Sequence, residues 1–348
     1  MEAEDPVVDA GAGGDAAPGG TDADAGAVPD VGFDAGSTMD LGADAGLDIG
    51  LDAGADAGPD DLGPADAGAP VDPLVGRGAV ELVADGFVFV EGPRWFEGRL
   101  VFSDIPASTI YEVDAAGAVS VFLQPSGGSN GLAVDSMGRL LLAEHEGRRV
   151  SRLAGGTRAT VVESYMGQSL NSPNDLCVRS DGTLYFTDPE WGIVGDLSVR
   201  ELDVNGVYRV DASGAIHLEH SVAWTGHGST PRPNGVVLSA DETRLYVGND
   251  LDAELWVFDV ASDGALSGPV DTWTTRATPD GMAMDLAGNI YVGTADGVQV
   301  FDPSGAEWGL IPIANASNVA FGGDDARTLF VTAEDAVHSV RLASPGLR

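Results

Sequence analysis

Six short apolar segments of this chain each open on a polar, oxygen-bearing residue: Glu91, Asn130, Asn174, Asn234, Asp280 and Asn318. None of the six is basic, and Pro173, Pro233 and Pro279 precede three of them. Carboxylate and amide oxygens suit a hard divalent cation, which takes about six to eight oxygens at ~2.3–2.6 Å. Two carboxylates would neutralise the ion, and the amides add ligands without further charge. Calcium fits such a set; zinc, manganese and magnesium stay open, because oxygen ligands admit several of them. A polar residue at a strand start also serves as ordinary turn chemistry, bonded to its own backbone. That reading suffices for one position. Six equivalent positions acquire a common purpose only if the fold brings them together.

The elements needed for that are legible. "EGPRWFEGRLVFSD" starts at Glu91, "NGLAVDSMGRLLLAE" at Asn130 and "NDLCVRSDGTLYFTD" at Asn174. "NGVVLSADETRLYVGND" starts at Asn234, "DGMAMDLAGNIYVGT" at Asp280 and "NVAFGGDDARTLFVT" at Asn318. Each unit is a polar residue, an apolar strand, a turn and a second apolar strand, and most units continue into a third. The starts lie 39, 44, 60, 46 and 38 residues apart. Repeats of this size with Gly-rich turns and no helical period predict an all-β fold, a six-bladed β-propeller over residues 79–348. The long third interval places an insertion between Gly192 and Pro233. The last unit has three strands only, and Ala79–Phe87, "AVELVADGF", has no blade of its own. It is expected to complete blade six as the outer strand and remove an exposed edge.

In a propeller the first strand of each blade lines the central channel, so the six residues converge on the axis. The second strand returns to the same mouth. Its ends carry Asp104, Glu144, Asp188 and Asn249, which are expected to orient ligands or bind substrate hydroxyls. His145 follows Glu144 and lies near the mouth by repeat position. Trp191 in "PEWG" is a candidate substrate wall, and His227 in the insertion is placed to reach over the mouth. His217, His220 and His338 fall on outer strands, and Cys177 within an inner one.

Composition bounds the partners. The chain has 348 residues, with 55 acidic against 17 basic, and a net charge of -38. Every basic side chain other than histidine is Arg. Such a charge excludes nucleic acid and anionic membrane surfaces as partners. One Cys excludes a disulfide framework and a thiolate metal site. Residues 1–78 carry 18 acids and one base, Arg77, in Asp/Ala/Gly/Pro-rich sequence. That stretch cannot bury enough apolar surface to fold and is expected to be a disordered linker. Its spaced Asp and Gly lack the periodic apolar residue of a calcium-binding β-roll. Linkers of this kind precede exported domains, so a periplasmic or extracellular location, tethered through the linker, is expected. No signal peptide is visible in Met1–Pro6. A monomer is expected.

At these same residues the chain resembles the gluconolactonase and regucalcin (senescence marker protein) family, which also includes diisopropyl fluorophosphatase-like enzymes. The resemblance covers residues 80–345 and is strongest to bacterial gluconolactonases. It runs through "EGPRW", "LVFSDIPASTIYEVD", "NSPNDLCVRSDGTLYFTDPEWGI", "PNGVVLSADETRLYVGND" and "PDGMAMDLAGNIYVGTADGVQVF", in order. It implies one divalent cation, usually calcium, held by Glu91, Asn174, Asn234 and Asp280. It also implies hydrolysis of a lactone or related ester, such as gluconolactone, with Asp280 as acid/base. Bacterial gluconolactonases often have Cys where this chain has Ala143, beside a retained Glu144–His145 pair. The chemistry is plausible bottom-up: a Lewis acid polarises the carbonyl, water attacks, and a carboxylate takes the proton. Asn130, Asp104, His145, Glu144, Asp188, Trp191 and Asn318 are the expected substrate contacts. Two other readings stay open: a non-catalytic, metal-stiffened binding propeller, and a phosphoesterase-type hydrolase.

Overall fold

The computed structural model describes residues 71–347. Six four-stranded antiparallel sheets follow one another around an axis. Their inner strands are Val90–Phe96, Ser129–Val134, Leu176–Val178, Pro233–Leu238, Met282–Met284 and Ala316–Gly322. Each inner strand packs against the next, and the last against the first, so the ring is closed. In blade six the order is Glu81–Asp85, Ala336–Arg341, Thr328–Ala333 and Ala316–Gly322. Glu81 lies opposite Ser339 and Asp85 opposite Ala336, so the stretch before blade one does supply the outer edge of the last blade.

The apolar runs are continuous because most strands are covered on both faces. Leu140–Glu144, for example, is buried at every position. Six apolar clusters form the core, one at each interface between neighbouring blades. Phe102 and Val90 of blade one meet Phe330 and Val337 of blade six, while Phe186 and Tyr208 of blade three meet Leu141 and Val150 of blade two. The closing strand joins this packing through Val83 and Phe87. A chain starting after Asp85 is expected to melt about 10 °C or more below the parent, since it loses a ladder and uncovers a sheet edge. A thermal melt followed by circular dichroism checks this; an equal melting temperature would show that the strand is dispensable.

The expected linker falls partly outside the described residues, at 1–70. Its last residues, which are described, already pack on the domain. Leu74 lies against the core between blades five and six, and Gly78 N donates to Arg341 O at 2.8 Å. The packed chain therefore begins before the boundary expected at residue 79. The excess length of blade three sits in two loops, 189–203 and 224–232, the first with 3-10 turns at Trp191–Ile193 and Leu197–Val199. At the opposite end of the channel Leu347 N donates to Met284 O at 2.9 Å. Its side chain lines a cavity of about 220 Å³ below the ring, together with Arg94, Asp175, Val236 and Met282.

Candidate metal and active site

The inner strands lose their regular pairing at the ring residue. In blades one, two, four and six the register shifts at Glu91/Arg94, Ser129/Leu132, Pro233/Val236 and Ala316/Asn318. In blades three and five the ladder proper starts only at Leu176 and Met282, after Asn174 and Asp280. Such irregularities free a side chain from the alternation of the strand and re-aim it. The residue that follows is Gly in four blades, and close approach is the reason. A Cβ on Gly235 would overlap the carbonyl of Asp280, and one on Gly281 would overlap the Asn318 side chain. The blades are tied together at this level. Ser103 Oγ donates to Asn130 O at 2.8 Å, Thr187 Oγ1 to Asn234 O at 2.7 Å, and Ser317 Oγ to Val90 O at 2.9 Å.

The ring residues are thereby brought together. Asn130 Nδ2 donates to Asn174 Oδ1, and Asn174 Nδ2 to Asn234 Oδ1 at 2.6 Å. Asn234 Nδ2 reaches Pro279 O at 3.2 Å, and its amide counters the effect of burial on the Asp280 carboxyl. Glu91 Oε2 accepts from Gly92 N at 3.0 Å, and Asn318 lies beside the same carboxylate. His145 points inward as expected, with Nε2 3.1 Å from Asn174 Oδ1 and 3.4 Å from Asn130 Nδ2. Burial lowers its pKa to about 4, so the ring is neutral at pH 7.

The electrostatics of the ring are unbalanced. Burial, then the Asp280 charge, push the Glu91 carboxyl well above its usual range. Burial raises Asp280 to about 8, Asn234 opposes the shift, and the charges of Asp175 and Asp250 add to it. No arginine or histidine forms an ion pair with either carboxylate among the described residues. Asn130 Oδ1 is buried without a donor. Two acids whose pKa values burial raises, unpaired with any base among the described residues, fit a hard cation that would take the place of their protons. No group of three or more His, Cys, Asp or Glu is placed to hold a metal among the described residues. The candidate ligand set has a different make-up, with two carboxylates and two amides.

Three of the expected substrate contacts brace the protein around the ring. Asp104 accepts from Val88 N at 3.0 Å and Phe89 N at 3.2 Å, fixing the loop before blade one. Glu144, fully buried, accepts from Ser151 Oγ and from Arg149 Nε at 2.9 Å, with Arg158 Nε 3.6 Å away. Asp188 accepts from Asn171 N and Ser172 N, both at 2.8 Å, and so sets the approach to Asn174. Burial lifts Asp188 to about 7 despite those bonds. These carboxylates hold backbone and neighbouring side chains. Trp191 is half-buried, with the Arg232 guanidinium 5.0 Å from its ring centroid. Gly192 beside it abuts His145 and Ser172, which puts the Trp191 turn against the ring.

Asp175 had no role in the sequence reading, yet its oxygens accept from Leu176 N at 2.9 Å and from Val236 N at 3.1 Å. It staples the strand after Asn174 to the strand after Asn234. Its signal was present: it is the one acid following a ring residue where most blades have Gly. Asp250 was also missed. It pairs with Arg232, and its charge is felt at Asp280.

A six-bladed propeller with a buried acid–amide ring on its axis defines the class. Within it, residues 89–335 match the family described as SMP-30/gluconolactonase/LRE-like region, and the chain belongs to that family. A gluconolactonase of Zymomonas mobilis is 33% identical over 300 residues, covering 77% of this chain and 82% of that protein. A pentonolactonase of Haloferax volcanii is 28% identical over 257 residues, covering 70% and 80%. The solved structure of a gluconolactonase from Xanthomonas campestris superposes with a TM-score of 0.68 at 32% identity, covering 76% and 89%.

Proposed function

We propose that the protein is a divalent-cation-dependent lactonase that opens a sugar lactone. The observation that carries this reading is the Glu91–Asp280 pair, brought together on the axis with no cationic partner among the described residues. The related gluconolactonase and pentonolactonase supply the substrate class. Glu91, Asn174, Asn234 and Asp280 would hold the cation, with calcium the first choice for an all-oxygen set. When bound, the ion supplies Lewis-acid polarisation of the lactone carbonyl and stabilisation of the developing oxyanion.

The chain's own groups do the rest. Asp280 takes the proton of the attacking water; it is the half-buried carboxylate of the pair, whereas Glu91 is buried. The Asn234 amide favours the ionised form of Asp280. Asn130 offers its free Oδ1 to a substrate hydroxyl. His145, neutral, keeps the Asn130 and Asn174 amides oriented.

Hydrolysis of D-glucono-1,5-lactone, corrected for the spontaneous rate, is expected to fall to background in chelator and to return with added calcium, manganese or zinc. Turnover that survives exhaustive chelation would remove the cation from the reading. Tight cation binding with no turnover of any lactone would leave a binding propeller.

A further inference from the structure

We propose that the insertion of blade three builds a second polar pocket beside the ring, which holds the hydroxylated arm of the substrate. This rests on the lactonase reading for the identity of the substrate, not for the existence of the pocket. Its central residue is Glu190, which is fully buried, with no hydrogen bond to either carboxylate oxygen among the described residues. His227 Nδ1 stands 3.5 Å from Oε1, at the outer limit of a hydrogen bond. Leaving a buried carboxylate unpaired is costly, so such a group calls for donors.

The surrounding side chains show the complementary deficit. Arg200 lies over the Trp224 ring at 4.9 Å, and Arg232 over the Trp191 ring at 5.0 Å. Stacking fixes the planes of both guanidinium groups. Arg200 Nε and Nη1, Arg232 Nε and Trp224 Nε1 are all buried without acceptors. Arg200 feels the Glu190 charge, yet no ion pair joins them. Free donors and free acceptors thus coexist in one small buried region.

That mixture selects the ligand chemistry. An anion would use the donors and repel Glu190. A cation would use Glu190 and repel the arginines. A group that donates and accepts at once serves both, and vicinal hydroxyls do so with two oxygens at fixed spacing. The location suits a substrate arm. Gly192 packs on His145, whose Nε2 is 3.1 Å from Asn174 Oδ1 in the ring. Arg232 pairs with Asp250, whose charge acts on Asp280. The half-exposed His227 side chain, in loop 224–232, stands at the outer side of Glu190. A sugar lactone seated with its carbonyl at the ring would extend its hydroxyls this way, whereas an alkyl-substituted lactone would leave every one of these groups unpaired.

The test uses the full-length, cation-loaded protein and 1,5-anhydro-D-glucitol, a ring polyol without a reactive carbonyl. Calorimetry is expected to show saturable binding to the parent, weakened tenfold or more in Glu190→Gln and Glu190→Leu. The ratio of kcat/KM for D-glucono-1,5-lactone to that for unsubstituted δ-valerolactone is expected to fall at least tenfold in both, chiefly through KM for the sugar lactone. Should Glu190→Leu not fold, Glu190→Gln and Trp224→Phe, which removes one donor and keeps an aromatic ring, carry the comparison. Absence of saturable polyol binding to the parent, or equal affinity and equal ratio in the variants, overturns the pocket and leaves it a place for bound water only. A parent that binds the polyol but opens no lactone fails the lactonase reading and leaves the pocket standing.

Discussion

Asp280→Asn is expected to lose both lactone hydrolysis and tight cation binding, with kcat down about 10²–10⁴-fold from the missing general base alone. The substitution keeps the shape of the side chain, so the fold should survive. What changes is a negative charge at the ring and the only half-buried carboxylate there. Glu91→Gln makes the informative contrast. It removes the other charge but leaves the proton acceptor in place. Saturating cation should therefore restore most of the turnover of Glu91→Gln and little of that of Asp280→Asn. Steady-state kinetics across a cation titration, with calorimetric Kd values for both variants, reads this directly. Full rescue of Asp280→Asn by excess cation would show that Asp280 is a ligand and nothing more.

The second large effect is on stability. In the cation-free protein both ring carboxyls have pKa values raised above those of an unfolded chain, Asp280 to about 8, and burial raises Asp175 to about 6 in the same sense. A folded state with raised acid pKa values binds more protons than the unfolded state between roughly pH 4 and 8. Stability is then complete below the unfolded pKa and is lost as pH rises through the folded one. The cation-free melting temperature should accordingly decline from pH 5 to pH 8. A cation binds the deprotonated ring, so its stabilising effect should grow over the same interval. At 100 times its Kd the gap at pH 8 should be about 5–10 °C, shrinking toward pH 5. Melts at four pH values, with and without calcium, are sufficient. A gap that stays constant from pH 5 to 8 would falsify the coupling between ring protonation and cation binding.

Much of this arrangement is legible in the sequence because the repeat is strong. The blade order follows from recurrent apolar pairs of strands, and the ring from one polar position recurring in each. The closing strand was readable from a count: one blade short of a strand, one strand short of a blade. Faces within the mouth were not readable. Glu144 and His145 are neighbours, yet one is held by Ser151 and Arg149 while the other turns to Asn174. A one-residue step along a strand reverses the face, and where the ladder ends the alternation gives no guide. The backbone contacts of Asp104 and Asp188 were hidden for a related reason. At a strand end a carboxylate can face a substrate or cap backbone N–H groups, and only the course of the adjoining loop decides which. The pairing of Arg232 with Asp250 and the placing of His227 near Glu190 join loops of irregular length, and no periodicity announces such contacts.

The closed ring has a consequence for how this protein comes into being. The hydroxyl of Ser317 bonds the carbonyl of Val90 across 227 residues of sequence, and the outer strand of the last blade is the first strand of the described residues to be made. During synthesis that strand must wait, unpaired, until almost the whole domain has emerged. Contacts of such long range make for slow β-sheet assembly, with open strand edges at risk of pairing wrongly in the interval. The oxygens at the axis come from six separate blades and do not form one constellation until the ends meet. A partly folded chain thus lacks the complete ring, and closure of the propeller is what assembles it.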